Sequence, residues 1–530
     1  MSSTLNHLAG SLFLATMLVL GVKAFLIIIR KKPGPLPPGP KGLPFLGNIA
    51  DLPKPGEPEW EHWLKHKDTY GPISSVTVLG KTQVIIHSPE LVVELFEKRS
   101  LKYSSRPKLP FAESTGLSEL IGLMPYNKEH RASRKLVHTT LGTQHLSKHY
   151  LDIQEKEAHR FLFRVLQKPD LFMDHLRSEA GAIILKIVYG YTIDPHKLDP
   201  LVQLVDKAME HFSASITPGA WLVDLIPALQ YLPEWMPGAG WKKISRNWRA
   251  TITDSIEKPL RFARKRQASG NAEASLVSDF YNLRGDSTSA AEDKNLKTTA
   301  GTMYYAGADT TVNTISVFFL NMALFPEVQR KAQEEIDRVI GNTRLPLFSD
   351  RESLPYVNAV ITESLRWHPV VPLSLPHTTD ADDVVNGYHI PKGSSVIANV
   401  WWFTHDPEVY PNPSEFNPSR FLGPNPAPDP ANHVFGHGRR ICPGRYLANT
   451  SIWLTVARTL AVFNISKSLD ENGLEIEPTV KLTVGAITRV EPFKATIKPR
   501  SPHHETLIRQ VEELYPWEES NADELEDTIA

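Results

Sequence analysis

Cys442 is the only cysteine among 530 residues, and that count removes whole classes of fold. No intramolecular disulfide can form, and a cysteine-rich zinc or iron–sulfur site is excluded. An apolar core must therefore hold the chain together. Hydrophobic residues make up 41% and charged residues 22%, which suits a large buried core and argues against general disorder. The formal net charge of -1 gives no electrostatic case for a nucleic-acid partner. A lone cysteine is ordinarily a small buried hydrophobe, but the neighbours of this one point to chemistry.

Residues 8–29 read LAGSLFLATMLVLGVKAFLIII, interrupted by one charge, Lys23. At ~1.5 Å per residue the run can cross an apolar layer of about 30 Å. Residues 1–7 carry no Lys or Arg, whereas Arg30, Lys31 and Lys32 follow the run. This disfavours a cleavable signal peptide and predicts a transmembrane anchor with residues 1–7 lumenal and the rest cytoplasmic. Residues 30–41 form a basic, then proline-rich hinge that is stiff and extended. Residues 42–500 read as one globular unit without an internal repeat. Residues 501–530 turn acidic, with Glu512, Glu513, Glu518, Glu519, Asp523, Glu524, Glu526 and Asp527, and read as a solvated, largely disordered tail.

Inside the globular unit, strand-like runs at 73–79 and 83–87 flank Gly80-Lys81 as in a hairpin. Most other segments carry helix signals. Residues 327–340, for example, follow Pro326 and precede Gly341. Residues 267–297 are polar and small, and read as a mobile surface connection.

The cysteine sits in Phe435-Gly436-His437-Gly438-Arg439-Arg440-Ile441-Cys442-Pro443-Gly444-Arg445. Glycines let a backbone pass close to a flat ligand. Pro443 suits a first helical turn, and Leu447, Ile452 and Val456 continue an apolar face. A cysteine at a helix start has its thiolate favoured by free backbone N–H groups. Two arginines beside it call for a nearby anion. This segment resembles the haem loop of the cytochrome P-450 haem-thiolate monooxygenases, Phe-Gly-x-Gly-x-Arg-x-Cys-x-Gly. Phe435, Gly436, Gly438, Arg440, Cys442 and Gly444 fill every fixed position. The resemblance implies that Cys442 is the axial ligand of a haem b iron.

Three further constellations agree. Glu363 and Arg366, three apart on a helix spanning residues 356–367, share a helix face. Alone such a pair is an ordinary surface salt bridge. The family pattern adds Arg420 from Phe416-Asn417-Pro418-Ser419-Arg420-Phe421, although Ser419 departs from the glutamate common there. The three would fix the geometry behind the haem loop. Ala306-Gly307-Ala308-Asp309-Thr310-Thr311 lies in an apolar helix expected over 300–325. Its bland reading is a packing notch in a core helix. Its functional reading is a local break at Gly307 that makes room for dioxygen. The resemblance favours the second, with Asp309 and Thr310 handling protons. By resemblance also, Arg134, His130 and His377 join Arg440 on the haem propionates. Family members usually carry tryptophan where this chain has His130, which read alone is equally well a surface histidine.

The resemblance covers nearly the whole chain. It implies a mostly α fold with a small β-rich lobe, of the microsomal, fungal type, preceded by the transmembrane helix. It also implies electrons from an NADPH-dependent flavoprotein reductase, O2 as co-substrate, contact with membrane lipid, and residence in the endoplasmic reticulum membrane. Positions expected near the substrate are Phe111, Leu117, Leu120, Val371, Leu373, Leu375, Val484 and Ile487, which predicts a small hydrophobic substrate. Fungal terpenoid or polyketide metabolism is the leading expectation and xenobiotic oxidation the alternative. A haem-thiolate isomerase or dehydratase is disfavoured by the retained Asp309-Thr310 pair.

Overall fold

A computed structural model describes residues 34–54, 56–142 and 148–528. The apolar run at 8–29 lies outside the described residues. Among the described residues no single helix is long and apolar enough to cross a membrane.

After a helix at Glu59–Tyr70 come β1 (Ile73–Val78) and β2 (Lys81–Ile86), paired antiparallel with Val78 opposite Lys81. Leu79 and Gly80 both take positive φ, 48° and 81°, which matches the right-handed twist of the two strands. Helices follow: α1 (Pro110–Thr115), α2 (Lys128–Leu141), α3 (Lys148–Gln167), α4 (Phe172–Tyr189) and α5 (Pro200–Ile216). Next come α6 (Trp241–Ala268), α7 (Leu276–Arg284), α8 (Ala290–Leu324), α9 (Pro326–Val339) and α10 (Pro355–Trp367). Strands β3 (His377–Thr378), β4 (Asp383–Val385), β5 (Tyr388–Ile390) and β6 (Ser395–Ala398) precede α11 (Arg445–Val462). The chain then runs through β7 (Phe463–Leu469), β8 (Glu475–Ile476), β9 (Ala495–Pro499), α12 (Pro502–Arg509) and α13 (Val511–Leu514).

The β elements are minor. One sheet has the order β1-β2-β6-β3, with β6 parallel to β2 and the other pairs antiparallel. The others are the pair β4-β5 and the trio β8-β7-β9. The expected mostly helical fold with a small β lobe is what the chain adopts.

Helix α8 is the spine. Its first half sends Ala300, Met303, Tyr304, Tyr305 and Ala308 into one apolar cluster. Its second half sends Val312, Ile315, Phe318, Phe319, Met322 and Ala323 into another. The polar stretch Asp309-Thr310-Thr311 falls where one cluster gives way to the other.

Three expectations need correction. Helix α8 starts at Ala290 rather than near residue 300, because Ser289 and Glu292 close a reciprocal capping box there. The supposed mobile connection at 267–297 is largely helical: α7 buries Leu276, Val277 and Phe280 and is capped by Ser275. The tail is not a solvated end. Leu507, Ile508 and Val511 are buried, and Leu525 joins the first apolar cluster. The acidic side chains misled because the tail's apolar residues, spaced at helical intervals, decide its packing. Trp517 lies over the guanidinium groups of Arg160 and Arg164, at 4.8 and 5.4 Å. Glu518 pairs with Lys156 and Lys186, at 2.5 and 3.3 Å.

Candidate active site

Helix α11 begins at Arg445, with Gly444 as its N-cap, so Cys442 stands just before the helix rather than in its first turn. Its backbone N–H donates to Phe435 O at 2.7 Å, which closes the preceding loop. Gly438 is required there: it has φ +54°, and a Cβ would lie 2.1 Å from Phe96 O. Gly436 also takes positive φ. Burial pushes the Cys442 thiol up, while the N–H of Gly444, the guanidinium groups of Arg134 and Arg445, and the N–H of Arg445 pull it down. Donors thus converge on the sulfur, as a thiolate needs.

Beside this loop lies a nest of cations, Arg106 buried and Arg134 and Arg440 half-buried. Arg440 donates to Ser104 O, Ile121 O and Met124 O. Arg134 donates to Ile441 O at 2.7 Å. Arg106, which the sequence reading missed, donates to Gly122 O, Leu375 O and Pro376 O. Burial and Arg134 push Arg440 down to about 10. His130 is 1% exposed, and neither ring nitrogen has a partner. Burial, then Arg440, Arg134, Arg106 and Arg131, push it down to about 3. His130 is therefore a buried histidine, not a surface one. His377 stacks on Phe96 at 3.9 Å and bonds Tyr103 O through Nδ1 at 2.6 Å. Burial and Arg106 hold it well below the usual imidazole range. Orphaned imidazole nitrogens among several guanidinium groups are a poor arrangement for a closed core and a good one for carboxylates. The residues present thus fit haem b: a sulfur ligand flanked by cations placed for propionates.

On α8, Thr302 and Thr310 are half-buried and Ala306 between them is exposed, an open stripe at intervals of four in a stretch, 298–323, that is otherwise buried apart from Gly307. This helix packs directly on α11. The expected break at Gly307 is absent. The helix is continuous, and Thr310 Oγ1 donates to Ala306 O at 2.8 Å. Gly307 instead serves packing, since a Cβ would stand 2.8 Å from Ile184 Cγ1. Asp309 is 5% exposed and paired with Arg489, Nη2 to Oδ1, at 2.6 Å. Asn313 donates to its other oxygen at 3.2 Å. Burial pushes the Asp309 carboxyl up, and Arg489 opposes that.

Glu363 and Arg366 are both fully buried and joined by two bonds, 2.7 and 2.8 Å. Arg420 Nε reaches Glu363 Oε1 at 3.2 Å, and Asn417 N donates to the same oxygen at 2.8 Å. The three expected members meet, and Ser419 stays outside the network. Arg366 also donates to Thr404 O, Pro413 O and Glu415 O, so the cluster ties α10 to the segment leading into the cysteine loop.

Of the residues expected near a substrate, Val371 and Leu375 pack on the Ala308 cluster with Leu117, Leu120 and Ile487. Leu373 packs in a separate cluster with Trp60 and Trp63. Val484 is 46% exposed. Phe111 is sealed under Trp221, rings parallel at 3.5 Å.

The sequence profile of the family described as Cytochrome P450 matches residues 37–492. Cytochrome P450 monooxygenase CLM2 of Gibberella zeae is 46% identical over 505 residues, 94% of this chain and 96% of its own length. Multifunctional cytochrome P450 monooxygenase af510 of Aspergillus fumigatus is 43% identical, over 90% of each chain. O-methylsterigmatocystin oxidoreductase of Aspergillus flavus is 37% identical, over 93% of each.

Proposed function

The chain belongs to the cytochrome P450 family of haem b monooxygenases, and from that premise we propose a membrane-anchored enzyme that oxidises a neutral, hydrophobic, medium-sized metabolite. Cys442 would hold the iron, and Arg134, Arg440, His130 and His377 the propionates, with Phe435 and Gly436 shaping the loop against the ring. Haem bound there supplies reductive dioxygen activation, aided by electron donation from the thiolate. The protein's part is positioning. The N–H groups of Gly444 and Arg445 steady the sulfur, the Glu363–Arg366–Arg420 cluster braces the segment leading into the loop, and Thr310 presents a hydroxyl on the open side of α8. Asp309, raised by burial, is suited to passing protons to that side.

The observation that carries this reading is the Cys442 loop standing beside the imidazole–guanidinium nest around His130. Replacing Cys442 with Ser should abolish the red-shifted carbon monoxide Soret band of the ferrous holoenzyme. A surviving band would refute the ligand assignment.

The finer reading is a role in fungal secondary metabolism, with electrons from an NADPH-dependent flavoprotein reductase at the endoplasmic reticulum membrane. One relative is named for oxidising O-methylsterigmatocystin. The candidate substrate residues that join the Ala308 cluster, Leu117, Leu120, Val371, Leu375 and Ile487, are aliphatic, which favours selection by shape and apolar area. Membrane contact is supported by the apolar run at 8–29 and by exposed Phe45, Leu222, Tyr231 and Trp235. Low-to-high-spin titrations with terpenoids, polyketides, fatty acids and organic acids test the substrate class. Tight binding confined to anions would overturn it.

A further inference from the structure

Asp309 does not stand alone with Thr310. Its partner Arg489 is shared with a second carboxylate: Nη2 contacts Asp309 Oδ1 at 2.6 Å and Nη1 contacts Asp206 Oδ1 at 3.2 Å. Asp206 belongs to α5, and its other oxygen lies 3.5 Å from Arg177 Nε on α4. Arg177 in turn donates to Asp174 at 2.9 Å. The row of alternating charge runs outward, from Asp309 with a side chain 7% exposed to Asp174 at 43%.

We propose that Arg489 is the positioning residue that sets the proton state of Asp309, through a cation held in common between α8 and α5. Four groups face the Asp309 carboxyl: Arg489 from the segment after α11, Asp206 from α5, Arg177 from α4, and Asn313 from its own helix. Of these, Arg489 makes the short charged contact. A buried carboxyl without a cation favours its neutral, proton-bearing form, and a guanidinium against it favours the ionised form. Asp206 competes for the same guanidinium, and its negative charge favours a protonated Asp309.

The backbone gives Arg489 a defined seat. Thr483 N donates to Arg489 O at 2.8 Å, Arg489 N donates to Thr483 Oγ1 at 2.9 Å, and Leu482 bridges Val490. This narrow hairpin carries Ile487 at its tip, where Ser213 Oγ of α5 lies 3.3 Å from Ile487 O and 3.4 Å from its N. Gly485 takes φ +134°, a conformation that side chains rarely adopt, and a Cβ there would crowd Ser213 Oγ at 3.0 Å. The hairpin is thus fastened to α5 at its tip and to both α5 and α8 at its base. Any displacement of α5 against α8 redistributes Arg489 between its two carboxylates. When Asp309 gives up a proton toward the Thr310 side, the carboxylate left behind is held by Arg489, and a proton from solvent restores it, with no change in electron count.

This inference rests on the reading of Asp309 as a proton-handling group, and the two fail separately. The measurement is the infrared carbonyl band of a protonated buried carboxyl in ferric holoenzyme, followed against pH. Asp309 is identified by the part of the band lost in Asp309→Asn. Arg489→Gln should move that titration to higher pH, so that the carboxyl stays protonated further into the alkaline range. Asp206→Asn should move it the opposite way, and Arg489→Lys should return it toward wild type. The pH profile of peroxide released per NADPH, with reductase added, should shift in the same directions. Should Arg489→Gln fail to bind haem, the Asp206→Asn and Arg489→Lys shifts decide. Titrations that coincide with wild type in those variants, or that move the same way for Arg489→Gln and Asp206→Asn, would overturn the proposal. Opposite shifts in the band with unaltered peroxide profiles would leave Arg489's control intact and refute Asp309 as a proton source.

Discussion

Ile184 on α4 and Gly307 on α8 approach so closely that a Cβ on the glycine would stand 2.8 Å from Ile184 Cγ1 and 2.9 Å from Cδ1. Gly307→Ala should therefore push the two helices apart, at an overpacking cost of about 1–3 kcal/mol. Ile184→Ala leaves a cavity and costs about 2–5 kcal/mol by itself. In the double variant the new methyl enters the space just vacated, so its stability loss should be smaller than the sum of the two. A thermodynamic cycle from denaturant unfolding measures that coupling. Strict additivity would mean that the notch has no packing role.

Thr310→Ala should leave the helix and the haem spectrum intact. The lost bond runs from Oγ1 to Ala306 O within one helix, and alanine is the better helix former. Stability should stay within about 0.5 kcal/mol. Product per NADPH should fall by about a hundredfold, the low side of what proton-handling groups contribute, with peroxide taking up the difference. Equal coupling in the two proteins would remove Thr310 from the chemistry.

Glu179 on α4 is 2% exposed and accepts from Thr455 Oγ1 at 2.6 Å. Burial pushes its carboxyl up from 4.5 to about 8, with Glu157 adding to the shift and Thr455, Arg164 and Arg458 opposing it. Between those two values the folded protein keeps a proton that the unfolded chain has released. Stability therefore declines as pH rises through that window. Glu179→Gln keeps the shape and removes the titration, so its thermal midpoint should depend less on pH there and exceed that of wild type near pH 8. A parallel pH dependence in both proteins would refute the assignment.

Ile508 is fully buried in the cluster formed with α3, α9 and α11. Ile508→Ala should cost about 2–5 kcal/mol. Removing everything after Arg500 takes away Leu507, Ile508, Val511 and Leu525 together, and should leave little soluble protein able to bind haem. Solubility and spectrum preserved in that truncation would restore the view of the tail as an accessory.

Local signals carried much of this architecture. Pro326, Pro355 and Pro200 open their helices, and the haem-loop glycines announce a conformation only they tolerate. The Glu363–Arg366 pair was legible because its spacing is helical. Arg489 and Arg106 were not, because nothing near them in sequence marks their partners. Asp309 and Asp206 lie far from Arg489 along the chain, and contacts of that kind exist only after the helices pack. The tail misled for a related reason. Its charge is a property of composition, whereas its burial depends on a surface that α3 supplies. At Gly307 the resemblance pointed to a broken helix, but the steric demand of Ile184 accounts for the glycine without one.

The tail also sets a timetable for biosynthesis. Strand β9 completes a sheet, Ile508 plugs one cluster and Leu525 the other, so the first cannot close before residue 508 is made and the second not before residue 525. At roughly 5–20 residues per second, the ~60 residues between the end of α11 and Leu525 hold the interior ajar for about 3–13 seconds. During that interval the α8 and α11 surfaces are made but unsealed. A flat prosthetic group can then enter from the side, before the last segments lock the door behind it.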